Sequence, residues 1–124
     1  MGRRGTPRRR RLSRSGDFDR VFRDGRSYGN RYLVVYGFAR GEEANGEPRL
    51  GISVARKVGG AVERNAVKRA VREAFWQLAD AGEGRDVVII ARPELARLVE
   101  HGGTPAVAEQ LAPLLQALAA GRST

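Results

Sequence analysis

The chain has no cysteine. That excludes a disulfide framework and any thiolate metal site, and it removes the usual mark of an oxidising compartment. There is one histidine, His101, in a glycine-rich stretch, too few imidazoles for a zinc site. Long apolar runs are also missing. None approaches the roughly 18 residues that a transmembrane helix needs, and the first residues lack the apolar segment of a signal peptide. The expectation is a soluble cytoplasmic protein with no membrane partner. Acids are scarce: 14 against 23 basic residues, a formal charge of +9 and a pI near 11.3. Such a balance suits a nucleic-acid partner or an anionic membrane surface.

At 124 residues the chain is long enough for one core and too short for two. Residues 1 to 14 hold seven arginines and no acid, and they have too little apolar surface to offset the entropy of folding. We read residues 1–12 as a disordered basic arm and residues 13–121 as a single RNA-binding domain.

The stretch Arg56 to Trp76, RKVGGAVERNAVKRAVREAFW, organises the rest. On a helix over residues 61–79, at about 100° per residue, Val67, Val71, Ala74, Phe75 and Leu78 form a stripe suited to a core. Arg64, Asn65, Lys68, Arg69 and Arg72 fall on a neighbouring arc of roughly 140°. Glu63 and Glu73 lie outside that arc, so it stays positive; Arg69 and Glu73 have the spacing of a weak i,i+4 pair. Gly59 and Gly60 just ahead allow a tight turn or a close approach of phosphate to the backbone. With Arg56 and Lys57 beside them, the helix N-terminus reads as an anion site. The chain has only two lysines, Lys57 and Lys68, and both fall in this region.

Elsewhere, Ser15 to Gly25 has the caps of a short helix whose inner face carries Phe18, Val21 and Phe22. These rings read as core, or as stacking surfaces for unpaired bases if the face has an open edge. Residues 31–39 predict a strand with Tyr32, Val34, Tyr36 and Phe38 on one face and Leu33 and Val35 on the other. Residues 40–48 form a loop. Residues 49–55 then alternate Leu50, Ile52 and Val54 with Gly51, Ser53 and Ala55, and the small-residue face leaves room for something to approach. Asp86 to Ala91 is a continuous run suited to a strand buried on both sides, which closes a βαβ crossover. A short helical piece from Pro93 ends at His101. Thr104 and Pro105 predict the N-cap and first residue of a last helix, which Pro113 should kink or restart.

No catalytic constellation emerges. Asp17, Asp19 and Asp24 are interleaved with Arg20, Arg23 and Arg26, a pattern of surface pairing. No set of converging carboxylates suggests a two-metal nuclease, and neither Ser27 nor Ser53 has a base within motif distance.

With RNAVKRAVREAFW, the chain resembles the protein subunit of bacterial ribonuclease P. The hallmark of that family is Arg-Asn-Arg followed by Lys-Arg and a further Arg on one helix, after a Lys-Val-Gly turn. Here it reads Lys57, Val58, Gly59, then Arg64, Asn65, Lys68, Arg69 and Arg72. The likeness extends to RLSRSGDFDRVFRDGRSYGNRYLVVYGF, PRLGISVARKVG and GRDVVIIARP, covering most of residues 11–93. One position departs: Ala66 stands where the motif has its second arginine, and helix geometry puts it toward the apolar side of the arc.

The resemblance implies an α/β (α+β) fold, a single-domain two-layer sandwich in the order α-β-β-β-α-β-α with a left-handed crossover around the basic helix. It implies a ribonucleoprotein endonuclease that removes the 5′ leader of precursor tRNA, with chemistry carried by a catalytic RNA subunit and Mg2+. The partners are then ribonuclease P RNA, facing Arg64, Asn65, Lys68, Arg69 and Arg72, and precursor tRNA. The leader would lie in a cleft of Phe18, Phe22 and Tyr36, with Ser27, Arg56 and Lys57 nearby. No catalytic or metal-binding residue is expected in the protein. A ribosomal or other structural RNA-binding protein would share the charge but not a shared open aromatic cleft. A protein-only nuclease would need an active site the sequence does not show.

Overall fold

A computed structural model describes residues 11–12, 15–39, 48–78 and 84–120. Helix α1 (Ser15–Asp24) leads into strand β1 (Arg26–Gly29), then β2 (Leu33–Ala39) and β3 (Arg49–Val54). A 3-10 turn (Arg56–Val58) precedes α2 (Ala61–Gln77), β4 (Arg85–Ala91) and α3 (Leu95–Ala120). The strands form one sheet in the order β1-β2-β4-β3, with β4 antiparallel to β2 and parallel to β3. The expected mixed fold and element order are present, including the crossover from β3 through α2 to β4.

Strand alternation divides the core in two. Leu33 and Val35 of β2, Leu50 of β3, and Val87 and Ile89 of β4 pack under α2 and α3 with Val67, Val71, Phe75, Leu111 and Leu115. On the opposite face, Val88 packs with Val21 of α1 and Leu12, joined by Phe18, Tyr36, Phe38 and Ile90. Val87, Val88 and Ile89 are all fully buried, as the uninterrupted β-branched run of β4 requires.

Several local expectations change. Strand β2 starts at Leu33, because the Asn30 side-chain oxygen accepts the backbone N–H groups of Tyr32 (2.8 Å) and Leu33 (2.9 Å) and folds residues 30–33 into a turn. Tyr32 therefore packs with the α2–α3 core and does not share the face of Tyr36. Strand β1 is short and largely exposed, so no apolar alternation marks it in the sequence. The break in α3 lies at Gly103 (φ 64°), and the backbone stays helical through Pro113. The Thr104 hydroxyl donates to Glu73 Oε1 at 2.8 Å, so Glu73 is tied to α3 where a pair with Arg69 was expected. Arg11 and Leu12, placed in the basic arm by the sequence, belong to the fold: Arg11 bridges to Leu50, and Leu12 is buried. Residues 1–10 and 40–47 lie outside the described residues.

Candidate nucleic-acid interface

Helix α2 carries the basic arc. Its core stripe (Val67, Ala70, Val71, Ala74, Phe75) is buried, and the Glu73 edge of that stripe faces α3 through Thr104. Arg64 and Lys68 lie along the other edge by helical spacing, so the arc flanks the side of α2 turned away from α3. Asn65 and Arg69 are exposed, and Arg64, Lys68 and Arg72 half-buried, as long stems laid along apolar surface with their charged heads in water would be. Ala66 is exposed, at the rim of the arc.

The α2 N-terminus carries a cap of its own. Glu63 Oε1 accepts the Gly60 backbone N–H at 3.0 Å, so the chain supplies its own carboxylate to the helix end. Gly59 has φ 153°, and a side chain there would meet the Glu63 Cβ at 2.8 Å. The two glycines thus serve the turn and its cap.

The second region is the sheet face under α1. Register aligns Ser27, Tyr36, Val88 and Gly51 in one row across the four strands, and Gly29, Val34, Ile90 and Ser53 in the next. Helix α1 covers the first row. The Phe22 ring meets Tyr36 edge-on at 4.9 Å and lies 6.4 Å from Phe18. Phe18 occupies the space that Gly51 leaves open, where an added Cβ would lie 2.5 Å from its ring. Phe22 is 41 % exposed, one of two exposed large hydrophobics, with Val62, among the described residues. In the second row Val34 and Ile90 are only half-buried, and Gly29 and Ser53 are exposed. Among the described residues, aromatic rings thus stand at the edge of a partly uncovered strip of sheet. Ser27 is exposed opposite Tyr36, and Arg56 and Lys57 are exposed where the chain leaves β3 at the open end. The sequence places Val34 on the Tyr36 face and Ser53 on a small-residue face with room beside it, but it does not single out Ile90 or the row the three share, which follows from strand order and cannot be read from one strand at a time.

Helix α1 is fixed over this face by charge. Arg49 and Asp86 are direct cross-strand partners, and Asp17 of α1 lies 3.8 Å from the Arg49 guanidinium and 2.8 Å from that of Arg20. Asp17 is therefore a largely buried link between helix and sheet, not the surface pair expected. The hydrogen bond to Asp86 raises the Arg49 pKa, burial opposes it, and the charges of Asp86 and Asp17 add to the rise.

Among the described residues, no three His, Cys, Asp or Glu side chains are grouped to hold a metal ion. No described helix is long and apolar enough to cross a membrane.

The ribonuclease P family model matches residues 6–116. The chain belongs to the ribonuclease P protein family. It is 41% identical over 92 residues to the ribonuclease P protein component of Bacillus cereus strain B4264, covering 73% of this chain and 78% of the relative. The Streptococcus pyogenes serotype M49 component is 44% identical over 82 residues, 66% of each chain. Among solved structures, the ribonuclease P protein of Staphylococcus aureus superposes with a TM-score of 0.73 at 34% identity, covering 86% of this chain and 93% of that one. That of Thermotoga maritima gives 0.73 at 38% identity, covering 86% and 94%. The chain is thus a subunit of ribonuclease P, a tRNA-processing endonuclease whose protein works with a partner RNA.

Proposed function

We propose that this subunit binds the ribonuclease P RNA through Arg64, Asn65, Lys68, Arg69 and Arg72 and holds the 5′ leader of precursor tRNA against Phe18, Phe22 and Tyr36. The RNA, with Mg2+, carries out the cleavage. The observation that carries the reading is the exposed Phe22 ring packed on Tyr36 beside the uncovered sheet row. A protein that only braced folded RNA would gain nothing from a half-exposed aromatic cluster there. Base stacking on such rings is worth about 1 to 3 kcal/mol per base and tolerates any sequence, which fits leaders that differ among tRNAs. Ser27, Arg56 and Lys57 border the strip, the two cations suited to leader phosphates. The arc on α2 neutralises phosphates of the partner RNA, with affinity that falls steeply as salt rises.

The test is leader removal from a precursor tRNA at low Mg2+ with ribonuclease P RNA alone, protein alone, and both together. Stimulation only in the combined reaction supports the reading. Cleavage by protein alone overturns the division of labour, and the absence of stimulation favours a purely structural RNA-binding role.

A further inference from the structure

A second groove lies away from both surfaces. The turn at residues 30–33 and the first half of α3 enclose an open cavity of about 620 Å³, lined by Arg31, Tyr32, Pro93, Glu94, Arg97 and His101 among others. Its walls are held by the backbone: Tyr32 O accepts the Arg92 N–H at 2.9 Å, and Arg92 O accepts the N–H of Leu95 at 2.9 Å. The Asn30 side chain fixes the turn at Tyr32 and Leu33 and reaches Gln110 of α3 (Asn30 Nδ2 to the Gln110 carbonyl, 3.3 Å). The cavity is therefore preformed.

Its chemistry is cationic and aromatic. The Arg31 guanidinium stands 5.9 Å from the centroid of the Tyr32 ring, and Arg31, Arg97 and His101 are exposed. His101 Nδ1 lies 3.0 Å from the Arg97 carbonyl. A carbonyl only accepts, so Nδ1 carries the proton and Nε2 is left for another partner. Glu94 is the one acid in the lining, and neither Arg31 nor Arg97 forms an ion pair with it among the described residues.

We propose that this groove binds a phosphodiester segment of unpaired RNA, with Arg31 and Arg97 on phosphate and Tyr32 beneath a base or sugar. The volume falls in the range of pockets for small ligands, about 300 to 1,000 Å³, which admits a nucleotide. The turn joins β1 and β2 next to the paired Gly29 and Val34, so the groove lies at the same end of the sheet as the strip, on the α3 side. The inference rests on the proposed RNA-binding role, and adds a contact remote from the aromatic rings and from the arc on α2.

The test measures binding of the full chain to ribonuclease P RNA, and of the reconstituted enzyme to precursor tRNA with a long leader, over a salt series. The wild type is compared with Arg31→Gln/Arg97→Gln and Arg31→Lys/Arg97→Lys, and thermal unfolding is recorded for each. In one of the two arms, the glutamine pair should weaken binding by about tenfold and make the salt slope shallower by about 1 to 2, while the lysine pair restores most of the affinity. The arm that responds names the source of the RNA. If the wild type binds and the glutamine pair, folded, matches it in both arms, the groove proposal is overturned and the RNA-binding role stands. A wild type that binds neither RNA overturns both.

Discussion

Arg49 and Asp86 face each other across β3 and β4, joined by two hydrogen bonds of 2.9 and 2.8 Å from one guanidinium to one carboxylate. Asp86 is fully buried, and Arg49 supplies two of the hydrogen bonds to its carboxylate. Arg49→Met should destabilise the protein by about 3 kcal/mol, the cost of breaking a buried ion pair by removing one partner. Asp86→Leu added to it should recover part of the loss. Urea unfolding of the single and double variants measures both. Because Asp17 would then keep only Arg20 of its own helix and lose its link to the sheet, α1 should loosen, with weaker binding of leader-bearing tRNA even where the fold survives.

Phe22→Ala should separate function from stability. The ring is exposed, so unfolding should shift by less than about 1 kcal/mol, while affinity of the reconstituted enzyme for precursor tRNA should drop about tenfold, one stacked base. Mature tRNA, which has no leader, should bind as before. Phe75→Ala provides the contrast. That ring is fully buried, and its loss should cost about 3 to 5 kcal/mol of stability.

Gly51→Ala should act through Phe18. A methyl group there meets the ring at 2.5 Å, and the ring, which is only half-buried, can move toward solvent. The fold should persist, leader affinity should fall about three- to tenfold if stacking geometry matters, and the near-ultraviolet circular dichroism should change. Gly25→Ala should be worse for stability, by about 1 to 3 kcal/mol, because its Cβ would meet the carbonyl oxygens of Val21 and Gly37, each at 2.5 Å.

Ala66→Arg should strengthen binding to ribonuclease P RNA. The position is exposed at the rim of the arc, so the new side chain reaches solvent without entering the core. A gain of a few-fold is expected, with a salt slope steeper by about 0.7 to 0.9 if it makes one phosphate contact.

The helices and long strands were legible because their periods are local: the α2 stripe, the β4 run and the alternation of β3 each identify themselves within a dozen residues. What escaped depended on partners distant in sequence. Asp17 reads as a surface acid until Arg49 and Asp86 are brought beside it. Tyr32 matches the period of β2, but the Asn30 side chain ends the strand first. Glu73 has a plausible partner four residues back in Arg69, yet Thr104, thirty-one residues on, takes its oxygen. The aromatic cluster was legible as three residues, but the open strip beside it was not, since it follows from strand order and from where α1 stops.

The Glu63 carboxylate on the Gly60 N–H has a consequence for how α2 meets its target. A helix end with free N–H groups presents a rigid cradle and accepts a phosphate at one place and angle. With a carboxylate on the Gly60 N–H, that cradle is narrowed, and the proposed RNA contact falls more to side chains with several rotatable bonds. Such a surface can follow a phosphate backbone whose path varies from one RNA fold to another. It trades geometric discrimination for compliance, leaving the choice of site to the shape of the RNA.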